Sequence, residues 1–336
     1  MKLTFEQIKT ITFGCMEIAE NNGLELHRLT PAQQEPYASH AGFFFRTCCA
    51  AGVALDFVTD SDFLLLTVEG QRQLGQSFLD FDLLIDGNPH QHASCARTGE
   101  PAKTGKIVAY GPDTFRFYLP EGEKRVTVQM TWNGSVKILN MELTDGATFR
   151  PWQYEKTLVA FGDSITQGAY ALHPSLSYIT QTARALNAKL YNFGVGGTGY
   201  NKDTILPGTY PKADVVTIAL GTNDFAKQTP ETMRDNVSGT LARLVESFPE
   251  TPIFVILPLW RMSEAQRQVN AIGTMQDLRN IITEEAAKFP GVTVCDGSKW
   301  VPHLRDAYHD TPCLHPNNLG QSLYATGLIQ TILKKM

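Results

Sequence analysis

Ser164, Asn223 and His315 are the residues of this chain whose types could do nucleophilic chemistry, and each stands where the backbone must turn. Ser164 follows the apolar run Leu158–Phe161 and ends the turn Gly162-Asp163-Ser164. A hydroxyl there sits at the C-terminal end of a buried strand, where ligands and catalytic groups collect in open α/β sheets. The same turn also suits an ordinary strand-to-helix junction with Ser164 as the helix N-cap, so three small polar residues alone decide nothing. Asn223 lies in Gly221-Thr222-Asn223-Asp224, directly after the apolar run Val215–Leu220. An amide in that position can donate to developing oxyanion charge or simply cap a turn. His315 opens His315-Pro316-Asn317-Asn318-Leu319-Gly320, and Pro316 restricts it to extended backbone, which fixes where the imidazole projects. A neutral imidazole is the base that a serine nucleophile needs.

A fourth stretch, Asn192-Phe193-Gly194-Val195-Gly196-Gly197-Thr198-Gly199, follows another strand. Its glycines allow close backbone approach and leave N–H groups free to face an anion. It has neither a Gly-Lys-Ser/Thr ending nor strict dinucleotide spacing, so a nucleotide loop is a weak reading.

The elements that must hold these turns alternate. Strands are expected at Leu158–Phe161, Lys189–Phe193, Val215–Leu220, Ile253–Leu257 and Val292–Cys295. Helices are expected at Ser177–Leu186, Pro230–Phe248, Glu264–Phe289 and Leu319–Lys335. Such alternation implies a parallel sheet covered by helices on both faces. The first 150 residues read differently. Thr4-x-x-Gln7 is a capping box for a short opening helix, and Thr30-Pro31-Ala32-Gln33 starts another that ends near Ser39. Thr10–Ile18 and Leu24–Leu29 flank Asn21-Asn22-Gly23 as a hairpin. Short strands then follow from Gly42 to Leu143, including Val53–Val58, Phe63–Val68 and Phe81–Ile85 before Asp86-Gly87. Val126–Trp132 and Val136–Leu143 flank Asn133-Gly134, a strong hairpin signal. The region is expected to be an antiparallel β-sandwich, a jelly roll, over 1–150, with Gly146–Tyr154 as linker and the α/β domain over 151–336.

The four chemical stretches, in this order and each at a strand end or helix start, resemble the SGNH (GDSL-type) hydrolases from Thr157 onward. The resemblance implies a flavodoxin-like, doubly wound, five-stranded parallel sheet and a serine esterase. It implies Ser164 as nucleophile, His315 as general base, and an oxyanion hole of Ser164 N–H, Gly197 and Asn223. The family's last block usually places an aspartate three residues before the histidine, where this chain has Pro312. Asp310, five residues before His315, is the first candidate to orient the imidazole, a main-chain carbonyl the second and Asp306 the third. The sandwich similarly resembles the jelly-roll domain that precedes the catalytic domain in some SGNH carbohydrate esterases. Together these imply hydrolysis of short acyl esters, acetyl esters of carbohydrates foremost, without a metal or organic cofactor. Thioesterase or lysophospholipase chemistry is the alternative inside the family, because the fold is shared across substrates. A carbohydrate-binding protein with a dead α/β domain is the alternative outside it.

Composition narrows the partners. A net charge of −5 and no basic stripe speak against nucleic acid. No apolar run approaches the ~20 residues of a membrane span, and the N-terminus shows no leader pattern, so the chain reads as cytoplasmic. The six cysteines have neither metal nor disulfide spacing and read as small core residues. Trp260, Trp300, Tyr170 and Tyr200 fall near strand-end loops, where they can stack on a sugar or pack in the core, and His173 can line the pocket or simply pack. Oligomeric state is not legible.

Overall fold

The computed structural model describes residues 1–73, 79–95 and 107–336. Two compact units divide the chain. The first comprises Met1–Thr30, Phe45–Tyr154 and His173–Ser175; the second comprises Pro31–Phe44, Glu155–Leu172 and Leu176–Met336. The expected division at 150/151 is a single cut, whereas here two short segments cross over to the other unit.

The first unit is a sandwich of two antiparallel sheets. Its strands are β1 (Thr12–Phe13), β2 (Glu17–Glu20), β3 (Leu24–His27), β4 (Ala54–Thr59), β5 (Phe63–Gln73), β6 (Leu79–Ile85), β7 (Asn88–Cys95), β8 (Ile107–Tyr118), β9 (Lys124–Gln129), β10 (Gly134–Leu143) and β11 (Phe149–Pro151). One sheet runs β1-β4-β9-β6-β7 with β11 added on β4, and the other runs β2-β3-β10-β5-β8. Inward residues of both, among them Leu55, Phe57, Phe81 and Val128 from one and Leu64, Leu66, Val136 and Ile138 from the other, close a single apolar core. The period-two alternation of these strands puts such side chains on one face.

Local turn chemistry decides the details. Asp86 and Gly87 both take positive φ, 49° and 80°, and join β6 to β7 as a tight hairpin. Asn133-Gly134 does not make the expected hairpin, because β9 pairs with β4 and β6 while β10 pairs with β3 and β5. Neither residue takes the positive φ that such a turn requires. Asn133 is instead buried, accepting a hydrogen bond from Thr131 Oγ1 at 2.8 Å, and the chain crosses from one sheet to the other there. The expected linker carries β11, whose pairing with β4 makes it part of the sandwich. Thr4 does cap a helix over Phe5–Thr10, while the helix Ala41–Thr47 lies where only strands are expected.

The second unit is built on β12 (Lys156–Gly162), β13 (Ala188–Gly194), β14 (Val215–Ala219), β15 (Ile253–Ile256) and β16 (Val292–Cys295). All are parallel, in the order β13-β12-β14-β15-β16, so β12 is an interior strand from which the chain steps first to β13 on one side and then to β14, β15 and β16 on the other. This is the flavodoxin-like order, and its switch point lies beside β12. Helices Tyr178–Ala185, Pro230–Ser247, Met275–Ala286 and Asn318–Leu333 fill the crossovers and the end. The single long helix expected over Glu264–Phe289 is two, Met262–Ala265 and Met275–Ala286. Gly273 at φ 98° turns the chain between them, and Thr274 and Asp277 form a fresh capping box that restarts the helix.

Candidate active site

Register brings the first three chemical turns together. Gly162, the last residue of β12, pairs with Gly194 of β13 and with Ala219 of β14. The loops bearing Ser164, the glycine run and Asn223 therefore leave the sheet at one level and on one edge. Gly162 must be glycine, since a Cβ there would stand 2.0 Å from Thr166 Oγ1 and 2.9 Å from the Ala219 carbonyl.

After β12 the chain enters a single helical turn, Ser164–Gln167. Asp163, not Ser164, is its N-cap: the carboxylate accepts the Ile165 N–H at 2.9 Å. Ser164 is thus the first helical residue, and its hydroxyl is released from capping. Gly168, left-handed at φ 107°, stops the helix after four residues. The glycine loop is clamped against that helix. Asn192 Nδ2 donates to the Thr166 carbonyl at 2.8 Å, its Oδ1 accepts from Gly194 N, and Gln167 Oε1 accepts from Gly196 N at 2.8 Å. These bonds leave Gly197, at φ 84°, and Ser164 with backbone N–H groups that take no partner among the described residues.

Asn223 is placed by the turn after β14. Its Nδ2 donates to the Thr198 carbonyl at 3.0 Å and stands 3.5 Å from Asp163 Oδ2, the outer limit of a hydrogen bond. Asp224, beside it, accepts from Tyr200 N at 3.2 Å and holds the glycine loop and the asparagine turn together. A Cβ on Gly199 would come within 2.2 Å of the Asp224 carboxylate. Burial pushes the Asp163 and Asp224 carboxyls up to about 6 each, and in Asp163 the neighbouring Asp224 charge adds to the rise.

His315 reaches the serine from the other end of the unit's sequence. Its Nε2 is 2.9 Å from Ser164 Oγ, and its Nδ1 is 2.6 Å from Asp310 Oδ2. The five-residue separation is closed by a folded loop. Cys313 N donates to the Asp310 carbonyl at 3.0 Å, with Cys313 itself at φ 51°, and His309 N donates to the His315 carbonyl at 2.9 Å. Asp310 Oδ1 collects the Leu314 N–H at 2.7 Å and the His315 N–H at 3.2 Å, which turns Oδ2 toward the ring. Burial pulls the Asp310 carboxyl upward, but these bonds and the facing imidazole outweigh it and hold the group below the usual carboxylate range. Pro312 offers only its carbonyl, to Met262 N, and Asp306 likewise uses its main-chain oxygen, on Asn317.

Two neighbours complete the surroundings of the imidazole, Tyr170 from the aromatics named by sequence and Arg261, which sequence reasoning missed. Tyr170, at φ 62° and partly exposed, stacks on His309 at 4.4 Å and lies tilted over His315 at 4.7 Å. Arg261 donates to the Thr222 carbonyl at 3.2 Å and contributes positive potential that is felt by Asp310. The only sequence cue for Arg261 is its place just past the fourth parallel strand. Trp260 and Tyr200 are buried and Trp300 packs against the core, so Tyr170 is the aromatic of that group nearest the imidazole. His173 belongs to the first unit, beside Asp82 and His92.

Residues 160–323 match the model of the GDSL-like Lipase/Acylhydrolase family. No curated protein matches the sequence. Among solved structures, the salicylyl-acyltransferase SsfX3 of a tetracycline biosynthetic pathway is similar at 20% identity and TM-score 0.82, over 100% of this chain and 97% of that one. A family two carbohydrate esterase from Clostridium thermocellum aligns at 18% identity and TM-score 0.63, over 96% and 98%. An acetyl xylan esterase, Est2A, from the rumen bacterium Butyrivibrio proteoclasticus aligns at 14% identity and TM-score 0.65, over 100% and 99%. At these identities the likeness establishes the architecture.

Proposed function

We propose that the chain, an ester-bond hydrolase whose residues 160–323 match the GDSL-like Lipase/Acylhydrolase family, cleaves short acyl esters through an acyl-enzyme on Ser164. The observation that carries the reading is the unbroken run Ser164 Oγ, His315 Nε2, His315 Nδ1, Asp310 Oδ2, with links of 2.9 and 2.6 Å.

In this mechanism neutral His315 takes the Ser164 proton as Oγ attacks the ester carbonyl, and Asp310 stabilises the imidazolium that forms. The tetrahedral oxyanion is held by the Ser164 and Gly197 N–H groups and by Asn223. One Asn223 hydrogen is kept by the Thr198 carbonyl; the other, held only at 3.5 Å by Asp163, is the one available to the oxyanion. Collapse of the intermediate breaks the C–O bond, and His315 returns its proton to the departing alcohol. Water, activated by the same imidazole, then releases the acid and restores Ser164. No step calls for a metal or an organic cofactor.

The substrate class proposed is acetyl esters of carbohydrates. It is supported by the order of a sandwich followed by the α/β domain and by the likeness to two carbohydrate esterases of that length. The test is a panel of acetylated sugars and 4-nitrophenyl acetate, butyrate and decanoate. Acetyl substrates should turn over fastest, and Ser164→Ala should abolish hydrolysis with the thermal unfolding midpoint unchanged. Faster cleavage of decanoate refutes the short acyl preference, and near wild-type turnover by Ser164→Ala refutes the serine mechanism. The likeness to an acyltransferase along the whole chain supports one further arm, in which an added sugar alcohol competes with water for the acyl-enzyme. Acyl-sugar product in place of free acid would identify transfer as the outcome.

A further inference from the structure

Asp82 on β6, His92 on β7 and His173 lie together in the first unit, and their facing atoms converge. His92 Nδ1 is 2.8 Å from Asp82 Oδ1 and 2.9 Å from His173 Nδ1, and His173 Nδ1 is 3.3 Å from the same carboxylate oxygen. The two rings stand nearly perpendicular, with centroids 4.2 Å apart and an angle of 76°.

Proton accounting shows what this cluster lacks. Ser94 Oγ donates to Asp80 Oδ1 at 2.8 Å, so toward His92 Nε2, 3.2 Å away, the hydroxyl oxygen can only accept. With the Ser94 hydrogen so committed, the tautomer of His92 that suits Ser94 carries its N–H on Nε2 and presents a lone pair at Nδ1. That lone pair faces a carboxylate oxygen at 2.8 Å. His173 Nδ1–H can satisfy either His92 Nδ1 or Asp82 Oδ1, and the other contact stays repulsive. A positive charge among the three atoms resolves all the contacts at once.

We propose that Asp82, His92 and His173 bind a divalent first-row transition cation, through Asp82 Oδ1 and the Nδ1 atom of each imidazole. Nitrogen and oxygen ligands at about 2.1 Å in cis positions of an octahedron stand about 3 Å apart, and the observed separations bracket that spacing. An outer shell is already built. Asp82 Oδ2 accepts the Ser175 N–H at 2.8 Å, and His92 Nε2 faces Ser94 with Asp80 behind it at 3.5 Å, the carboxylate–histidine–metal arrangement. Asp82 is buried, at 6% side-chain exposure, while His92 and His173 keep about a third of theirs, so an ion can enter and water can complete its shell. Two imidazoles with one carboxylate suit zinc, cobalt or nickel and not calcium or magnesium. The ion would pin the segment His173–Ser175 to the β6–β7 hairpin. Because His92 and His173 are 81 residues apart, no local spacing in the sequence announces the site.

The experiment uses the untagged full chain, stripped with chelator. Titration with Zn²⁺ or Ni²⁺ by calorimetry should give one equivalent, Co²⁺ should develop a visible d–d absorption, and excess Mg²⁺ or Ca²⁺ should not compete. His92→Ala and His173→Ala should weaken Zn²⁺ binding by at least ~100-fold, and Asp80→Asn, which alters only the outer shell, by about 10–100-fold. Ser164→Ala should bind as wild type does. Zn²⁺ should raise the unfolding midpoint of wild type and of Ser164→Ala but not of the histidine variants. If an alanine variant fails to fold, acylation of His92 and His173 by diethyl pyrocarbonate in wild type should slow at least tenfold with Zn²⁺, read by peptide mass spectrometry. Absence of binding at ~100 µM Zn²⁺, or equal affinity in the histidine variants, overturns the proposal and leaves a shared proton as the cluster's only cation.

Discussion

Replacing Asp310 by asparagine tests the proposed mechanism at one atom, because the loop dictates which way the new amide faces. Asp310 Oδ1 accepts two backbone N–H groups, from Leu314 at 2.7 Å and His315 at 3.2 Å, while Oδ2 meets His315 Nδ1 at 2.6 Å. An asparagine has one acceptor and one NH₂. If its oxygen stays on the two backbone donors, its NH₂ points at His315 Nδ1 and forces that nitrogen to accept. The ring proton then moves to Nε2, facing Ser164 Oγ, and the base is lost. The flipped amide would keep the useful tautomer, but it would set NH₂ against two N–H groups, costing about 1–3 kcal/mol for each partly buried donor left unpaired. The first arrangement therefore dominates. Tautomer reversal of this kind lowers kcat by about 10⁴ in serine triads, equivalent to roughly 5 kcal/mol of transition-state stabilisation. Asp310→Ala removes the acceptor without reversing the tautomer, since water can take its place, so it should be impaired less than Asp310→Asn. The assay is kcat/KM on 4-nitrophenyl acetate for wild type and both variants, with urea unfolding to show that the loop still closes. An Asp310→Asn enzyme within tenfold of wild type would refute the role given to this carboxylate. An alanine variant that is worse than asparagine would refute the tautomer argument.

Asn223→Ala should lower kcat by about 10²–10³ with little change in KM, because the amide bonds best to the oxyanion; an effect confined to KM would assign Asn223 to substrate binding instead. Burial raises the Asp224 carboxyl from 3.8 to about 6, so the native state holds its proton more tightly than the unfolded chain. The stability from this group is present below pH 4 and lost as pH rises through 6, amounting to at most ~3 kcal/mol at neutral pH. Asp224→Asn should therefore gain stability relative to wild type by about 1–3 kcal/mol more at pH 7.5 than at pH 4.5, measured by urea unfolding. An equal difference at the two pH values would remove the buried charge as the cause.

Much of this protein is written locally in its sequence. Apolar runs such as Val215–Leu220 and Ile253–Leu257, too short for helices and alternating with helical segments, determine a parallel sheet because such strands must be covered on both faces. Ser164 and Asn223 stand out as small polar residues at strand ends and His315 as a proline-locked histidine before the last helix, while Gly197 is singled out from its glycine run only by the resemblance to the SGNH hydrolases. What lies beyond local range was settled by the tertiary structure. The hairpin signal of Asn133-Gly134 yields to the sandwich core, which draws Val126 and Val128 into one sheet and Val136 and Ile138 into the other. The helix pattern across Glu264–Phe289 yields to a left-handed glycine and a new cap. Asp310 in place of the usual position at Pro312 depends on a folded loop, closed by main-chain bonds and by Asp310 Oδ1 on two backbone N–H groups, whose path local residue pattern does not specify. The Asp82, His92 and His173 cluster joins residues that are remote in the chain, and only the pairing of β6 with β7 and the seat of His173 bring their lone pairs together. Periodicity reports which face a residue buries. It carries no information about which distant side chain will be opposite, and that is set by packing alone.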